Sequence, residues 1–303
     1  MTFAGISSAW GTRFPTRWRI ASISDFAIRA CRQESIMKDM AMAVEALARK
    51  VMNHRVFDHP MYRHWACAPL PAAQSAALFH QLQNFCASTR LGMAFPQGLK
   101  NMGLPRQAEL MSEIEVSEGG HGPDLARMAG HIVNLAGKER VFDDLDDQAE
   151  VEAGLKRYSD QLLADLPGYD RASGLTRQAR EAIAVFQQRS RSDPESTIRN
   201  LGIAFALELI SNRSLIPGEK RALVDSGHYG VNLKDPEMYY LLDHWGECGA
   251  EQQHELNVRQ AIAGVLNAET EPLVLSGIDA FLDALAALWD VIDSQLLPAE
   301  AAV

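Results

Sequence analysis

Two histidines and two glutamates recur at helical spacing within the segment "DHWGECGAEQQHE". They occupy positions i, i+3, i+7 and i+10, as His244, Glu247, Glu251 and His254. At ~100° per residue, these side chains fall within roughly an 80° arc of one helix face. Imidazole nitrogens and carboxylate oxygens that share a face can bind a metal ion, although a charged helix face is more commonly solvated. Both interpretations, a ligand stripe and a solvated stripe, are open at this point.

The residues around this segment favour a buried helix. Apolar and aromatic side chains flank it on the other faces, among them Trp245. Gly246 and Gly249 are costly inside a helix unless close approach is needed. Buried carboxylates and imidazoles require partners, which favours the ligand interpretation.

A second pair of ligand-type residues lies in "EVSEGGHGPD", where Glu118 and His121 stand three positions apart. A Glu-x-x-His pair offers an oxygen and a nitrogen to one ion, as in carboxylate-bridged di-iron bundles. Glu115 and Asp124 extend the same spacing. The competing interpretation is a helix C-terminus that carries surface acids.

A third candidate is Glu208, a single acid in the apolar run "LGIAFALELIS". An acid in such surroundings is rarely left without a partner. It is either a metal ligand or one half of a salt bridge to Arg199 or Arg213. Two other ligand-rich segments exist, and for that reason a ligand role is favoured.

Helices must position these residues, because helical periodicity is common along the chain and strand signals are scarce. Proline and glycine punctuate the pattern, and a Pro-containing linker covers residues 56–71. The acidic stretch 141–152 is expected to be a loop or a solvated face. The sequence therefore predicts an all-α fold, a single bundle of about seven to nine helices. The helices are predicted at residues 35–53, 72–90, 105–118, 124–135, 177–188, 196–211, 235–266 and 277–297.

Composition limits the classes of function. The chain has 303 residues and a formal net charge of -10, which argues against a nucleic-acid partner. No apolar run approaches the ~20 residues of a membrane span, so no membrane association is expected. No CxxC pair is present, which favours a reducing, cytoplasmic location. The cysteines are Cys31, Cys67, Cys86 and Cys248.

The first 36 residues are rich in arginine and contain a single acidic residue before position 33, Asp25. We expect residues 1–36 to be a poorly ordered extension, with Met37 as an alternative start. A transit peptide is the other interpretation. The helical domain is expected to cover residues 37–303.

From about Met40 onward the sequence resembles the heme-oxygenase-like di-iron oxidase superfamily. That group shares its fold with the thiaminase-like proteins and pyrroloquinoline quinone synthase. The segments "VFDHPMYRHW" and "FPQGL" are similar to its first two helices. The resemblance implies that Glu118 and His121 form one ligand pair and that Glu208 supplies a second helix's ligand. It also implies that Glu251 and His254 match the end of a His-x3-Asp-x2-His motif.

The sequence departs from the family pattern at the first histidine of that motif, where Glu247 stands. Either Glu247 replaces the histidine, or a kink at Gly246 and Gly249 turns His244 inward. Many members also leave six residues between the first Glu and His, and that spacing would place Leu125 opposite Glu118. Leu125 cannot bind a metal.

The resemblance implies two ferrous ions per chain and O2 as co-substrate, and the donor set would also suit manganese. It implies N-oxygenation or oxidative C–C cleavage of a small amine, amino acid or fatty-acid-like metabolite, in specialised metabolism. Tyr239, Tyr240 and Trp245 are candidate substrate-pocket residues, with ordinary core packing as their alternative role. A homodimer is compatible with this interpretation.

A different class of function is a metal-free helical protein that only binds a ligand. It could hold heme through His121 or His131 as an axial ligand. A thiaminase-like site would instead need an exposed nucleophilic cysteine, and Cys248 lies off the predicted ligand face. Converging acids do not suit a heme pocket, which favours the dimetal interpretation.

Overall fold

The computed structural model describes residues 23–90, 92–118, 121–246 and 249–298. Within these residues the chain is α-helical, with short 3-10 and π-helical turns and one isolated β-bridge between Asp170 and Leu175. The predicted all-α fold class is confirmed. In chain order the helices are α1 (Ile23–Met52), α2 (Met61–Cys67), α3 (Ala72–Ser88), α4 (Ala94–Asn101), α5 (Pro105–Ser117), α6 (His121–Ala136), α7 (Gln148–Leu163), α8 (Arg177–Val185), α9 (Pro194–Ile210), α10 (Ile216–Lys220), α11 (Tyr239–His244), α12 (Ala250–Ala263) and α13 (Glu271–Leu296).

Helix α7 occupies the last part of the acidic stretch 141–152, for which a loop or a solvated face was expected. Asp147 caps it, because its side chain accepts a hydrogen bond from the backbone N–H of Glu150 at 3.0 Å. Val151 and Leu155 are fully buried on the face that turns inward. Residues 141–147 are therefore non-helical, as predicted, whereas residues 148–152 form the start of α7, where negative charge is favourable.

The single helix predicted over residues 235–266 is wrong. Helix α11 ends at His244, and α12 does not begin until Ala250. Between them Gly246 adopts a φ of +91°, which an L side chain rarely adopts. Gly249 is extended and precedes the first residue of α12. His244 therefore does not share a continuous helix face with Glu251 and His254, and the predicted arc is wrong for these three residues.

Helices α9 and α13 form the centre of the core and approach each other closely at two glycines. A Cβ atom on Gly202 would lie 2.2 Å from the carbonyl oxygen of Val274. A Cβ on Gly277 would lie 2.1 Å from the carbonyl oxygen of Arg199. Only glycine allows this backbone separation, and it places α9 deep in the molecule.

The expectation that no apolar run approaches the length of a membrane span is wrong for α13, which is long and apolar enough, by composition, to cross a membrane. It is the one such helix among the described residues. Half of its most apolar window is buried inside the protein. Phe281, Leu285 and Trp289 lie in the core with no exposed surface. This packing is that of a core helix and is consistent with a soluble protein.

The chain divides into two compact units at Ala41 and Met42. The described part of the first unit is the N-terminal portion of α1, which begins earlier than the predicted helix start at residue 35. Residues 1–22 of the predicted extension lie outside the described residues, and residues 23–36 are helical. The predicted domain boundary at residues 36 and 37 stays a prediction.

Candidate metal centre

Six of the seven predicted ligands converge in the interior from five helices. Their side chains form two groups, within each of which one ligand atom per residue lies within 4.8 Å of the others. The seventh candidate, Glu247, lies outside the described residues. The first group is Glu118, His121 and His244, and the second is Glu208, Glu251 and His254.

The first group is assembled at helix ends. Glu118 is the C-cap of α5, His121 is the first residue of α6, and His244 is the last residue of α11. The Nδ1 atom of His121 lies 3.1 Å from Oε2 of Glu118. The rings of His121 and His244 are 4.4 Å apart between centroids. The Glu-x-x-His spacing therefore produces a pair although the two residues belong to different helices.

The ring orientation of both histidines in this group is set by an outer partner. His244 Nδ1 donates a hydrogen bond to the carbonyl oxygen of Tyr240 at 2.6 Å, which leaves its Nε2 lone pair free. That Nε2 is 3.8 Å from Oε1 of Glu251. His121 Nε2 lies 3.3 Å from the carboxylate of Asp243. Such partners are typical of metal-bound histidines.

The second group lies mainly within helix interiors. His254 Nδ1 is 3.5 Å from Oε2 of Glu208 and 3.3 Å from Oε1 of Glu118. Glu251 occupies the first turn of α12, and His254 follows one turn later on the same side. Glu208, Glu251 and His254 are all buried.

Glu118 connects the two groups. Its Oε2 atom faces His121, and its Oε1 atom faces His254 of the second group. A carboxylate that presents one oxygen to each of two neighbouring ligand sets has the placement of a bridging ligand.

The local sequence explains why Glu208 is buried. Asp193 caps α9 by accepting from the backbone N–H of Ser196, and the helix is apolar around Glu208. Neither proposed salt-bridge partner neutralises it. Arg199 pairs with Glu195, and Arg213 pairs with Glu255.

The buried guanidinium of Arg189 is another cation that could neutralise Glu208. The charge of Glu208 favours the ionised form of Arg189, yet burial dominates and lowers the pKa of Arg189 to about 9. Its Nη1 donates to the carbonyl of Thr89 and makes no ion pair with Glu208 among the described contacts. None of these three arginines therefore forms an ion pair with Glu208 in the described part of the chain, and its ion-pair contact there is with the candidate ligand His254.

Burial and neighbouring negative charges oppose ionisation of Glu251 in the second group. Burial, together with the charges of Glu208 and Glu118, raises the pKa of Glu251 well above its ordinary range. Burial alone would lower the pKa of His254, but the adjacent Glu208 carboxylate raises it. These surroundings thus favour the neutral form of the Glu251 carboxyl, and the positive charge of a bound cation would favour its ionised form.

The pKa values in the first group, Glu118, His121 and His244, shift in other directions. Burial opposes ionisation of Glu118, but the hydrogen bond from His121 outweighs it and lowers the Glu118 pKa. The same hydrogen bond raises the pKa of His121. Burial lowers the pKa of His244, which keeps its imidazole neutral, as metal binding requires.

Two buried atoms show that the donor set fits a cation. Oε2 of Glu251 and Nδ1 of His254 have no hydrogen-bond partner among the described residues. Unsatisfied buried polar atoms are rare in folded proteins, and both atoms point into the cluster. Carboxylates and imidazoles suit iron or manganese, and the two groups could hold a dimetal site.

A cavity of about 660 Å³ opens beside the centre. Glu118, His121, Glu208, His244 and Glu251 all contribute to its wall. The cavity extends between α3 and α7, which lie against each other. A small molecule inside it could reach the ligand residues directly.

The pocket prediction needs correction at two of its three residues. Tyr240 is buried and lines the cavity. Tyr239 is 49% exposed and does not line it. Trp245 follows the end of α11 and lines a second pocket, where Lys220 Nζ lies 4.8 Å from its ring centroid. The break in the predicted helix directs Trp245 away from the cavity.

Sequence reasoning missed Asp243 and most of the cavity wall. Asp243 stands directly before His244, so its position beside a candidate ligand was the available signal. Glu152 belongs to the stretch predicted as a loop or a solvated face, and it lines the cavity from α7. His131, the second candidate axial ligand for heme, is half-buried on α6 and does not line the cavity.

Fold and site together define an all-α protein with a buried carboxylate and histidine cluster that could hold two metal ions. A crystal structure of a CADD-like protein of unknown function from Nostoc punctiforme PCC 73102 is similar, with a TM-score of 0.50 and 16% sequence identity. The match covers 85% of this chain and 99% of that chain, and at this identity it shows the fold alone. No family model and no curated protein sequence matches the chain.

Proposed function

We propose that the protein is a non-heme dimetal oxidase or oxygenase that uses O2 and acts on a small metabolite. The substrate class is a small amine, an amino acid or a fatty-acid-like molecule, and the metal is iron, with manganese as the alternative. The observation that carries the proposal is the placement of Glu118, with one oxygen toward each ligand group. A mononuclear site would not need such a bridge.

Bound in this centre, two ferrous ions would supply the electrons and open coordination positions that O2 chemistry requires. The protein supplies the positions of the ligands. The Tyr240 carbonyl holds the ring of His244, and Asp243 holds that of His121. Buried Phe85 and Leu125 in the cavity wall help to exclude water from bound substrate.

The ligand-binding alternatives fit the site less well. Three acids, Glu118, Glu208 and Glu251, line the cavity where a porphyrin would need an apolar face. Cys86 also lines the cavity, but burial raises the pKa of its thiol, which opposes the thiolate needed for nucleophilic attack. Cys248 lies outside the described residues.

The direct test is metal content after anaerobic reconstitution with ferrous iron and removal of loosely bound metal. We expect close to two irons per chain and an optical band that develops on exposure to O2. A chain that retains no iron would make the acids a protonated or salt-bridged cluster and would favour a ligand-binding helical bundle.

A further inference from the structure

The charges that line the cavity outside the metal centre are almost all neutralised. Arg90 pairs with Glu115 at 3.0 Å, and Lys156 pairs with Asp160 at 2.7 Å. Burial lowers the pKa of His80, which keeps that ring neutral. Glu152 is the remaining charged group, and no cation lies within ion-pair distance of it in the described part of the chain.

A buried hydrogen-bond acceptor stands beside Glu152. Gln83 on α3 is 5% exposed, and its Nε2 donates to Oε1 of Glu152 at 2.8 Å. Gln83 lines the same cavity, and its buried Oε1 has no partner among the described residues. Exchanging the amide oxygen and nitrogen would set two oxygens against each other, so the orientation is determined by Glu152. The pair therefore has an unpartnered acceptor, Oε1 of Gln83, next to the negative charge of Glu152.

This acceptor pair lies close to the metal centre. Gln148 Nε2 donates to Glu152 at 2.7 Å and lies 3.8 Å from the Cβ position of Gly122, the neighbour of His121. Glu152 follows Gln148 by one turn of α7, a rise of ~5.4 Å. A compact molecule held at Glu152 thus extends to His121 without leaving the cavity.

We propose that Glu152 and Gln83 bind the protonated amino group of a small primary amine, whose carbon chain lies along the cavity toward the metal centre. A carboxylate and an amide oxygen supply the acceptors that an ammonium group with three N–H donors requires. Leu125 and Ala149 give the chain an apolar wall. This inference about the substrate rests on the proposed function. It narrows the proposed substrate classes to amines and amino acids.

The test compares n-pentylamine, pentanoate and 1-pentanol as probes of equal length. Isothermal titration calorimetry on the full chain measures binding, with and without bound iron, and iron content is determined separately. The variant is Glu152→Gln, with Gln83→Met as a second variant that removes the amide oxygen. The matched control is Glu150→Gln, because Glu150 is an exposed acid of the same helix outside the cavity wall.

We expect pentylamine to bind and the acid and alcohol to bind more weakly. Glu152→Gln should weaken pentylamine binding by about tenfold or more, and Glu150→Gln should leave it unchanged. Pentanoate that binds as tightly as the amine, no measurable amine binding, or an unchanged affinity in Glu152→Gln would overturn the inference. Amine binding without retained iron would support the subsite and contradict the dimetal function, so the two failures are distinguishable.

Discussion

His254 Nδ1 lies 3.3 Å from Oε1 of Glu118, although these residues come from different helices and distant parts of the chain. The second oxygen of Glu118 is hydrogen-bonded to His121. Glu118 therefore contacts residues of both ligand groups, and these two contacts are shorter than the 3.8 Å between Glu251 Oε1 and His244 Nε2.

The shared role of Glu118 predicts that its removal affects both metal ions. Glu118→Ala should reduce iron content from about two ions per chain toward none, because each ion loses a ligand and a negative charge. Metal analysis after anaerobic reconstitution measures this. Asp124→Ala is the control, since Asp124 is an acid of the neighbouring segment outside both groups. Normal iron content in Glu118→Ala would contradict the bridging role.

Removal of a ligand from the second group alone should have a more limited effect. Glu208→Gln or His254→Ala should lower iron to about one ion per chain and abolish O2-dependent activity, because two ions are needed together. Helical circular dichroism should stay largely intact. His131→Ala serves as the histidine control, as His131 lies off the cavity. Full activity in either ligand variant would exclude these residues from the site.

The left-handed backbone at Gly246 predicts a specific effect on His244. Gly246 has a φ of +91°, and no atom would lie within 4 Å of an added Cβ. Gly246→Ala should therefore cost about 1–2 kcal/mol through backbone strain alone and should weaken metal binding by displacing His244. Thermal unfolding and metal titration measure the two effects.

Gly227→Ala is the matched control for this substitution. Gly227 has a φ of +72°, equally open surroundings and no ligand neighbour. The Gly227→Ala variant should lose about as much stability as Gly246→Ala and should bind metal as wild type does. Equal loss of metal in both variants would mean that general destabilisation, and not the position of His244, explains the result.

Glu219 predicts a pH dependence of stability. Burial raises its pKa from the ordinary value of 4.5 to about 8, and its Oε2 has no partner among the described residues. Between these two pH values the folded state keeps the proton and the unfolded state releases it. This contribution to stability is complete below pH 4.5 and is lost as pH rises through 8. The loss is at most about 1.4 kcal/mol per pH unit.

Glu219→Gln should remove that slope, since an amide does not titrate. Urea denaturation of metal-free protein between pH 5 and 9 should show the variant gaining stability relative to wild type up to about pH 8, then no further change. Any cost of burying the amide is a constant offset. The control is Glu269→Gln, because Glu269 is exposed. Its difference in unfolding free energy from wild type should not change with pH. A flat difference for Glu219→Gln would refute the raised pKa.

Features encoded by local sequence could be predicted correctly. The apolar run around Glu208 predicts a buried helix, and α9 has that form because every neighbour favours burial. Asp193 followed by Pro194 is also a local signal for a helix start, and Asp193 is the observed N-cap of α9. Glu118 and His121 could be paired from their spacing alone.

Features that depend on backbone conformation or on contacts between distant residues could not be predicted from the sequence. The spacing of the ligand-type residues continues through Gly246 and Gly249, so it predicts one helix. In the structure the helix is interrupted here, because Gly246 has a positive φ. Two glycines were the available signal, and one of the two sequence interpretations, an inward His244, agrees with its buried position. Tyr239 and Trp245 are near the ligands in sequence, but the helix break and the side of α11 direct them elsewhere. Glu152 meets Gln83 only through tertiary packing.

The unequal construction of the two ligand groups has a consequence for the order of metal loading. Each residue of the first group stands at a helix terminus, where fraying is common. In the second group, His254 lies in the second turn of α12, and the helical run that carries Glu208 continues past the end of α9 through a π-helical turn (Ser211–Leu215) into α10. The stiffer group is preorganised and should capture the first ion at low metal concentration, and the terminal group should close around the second. Stepwise titration would then show two unequal dissociation constants, and the weaker, exchangeable ion would be the one next to His121 and Asp243.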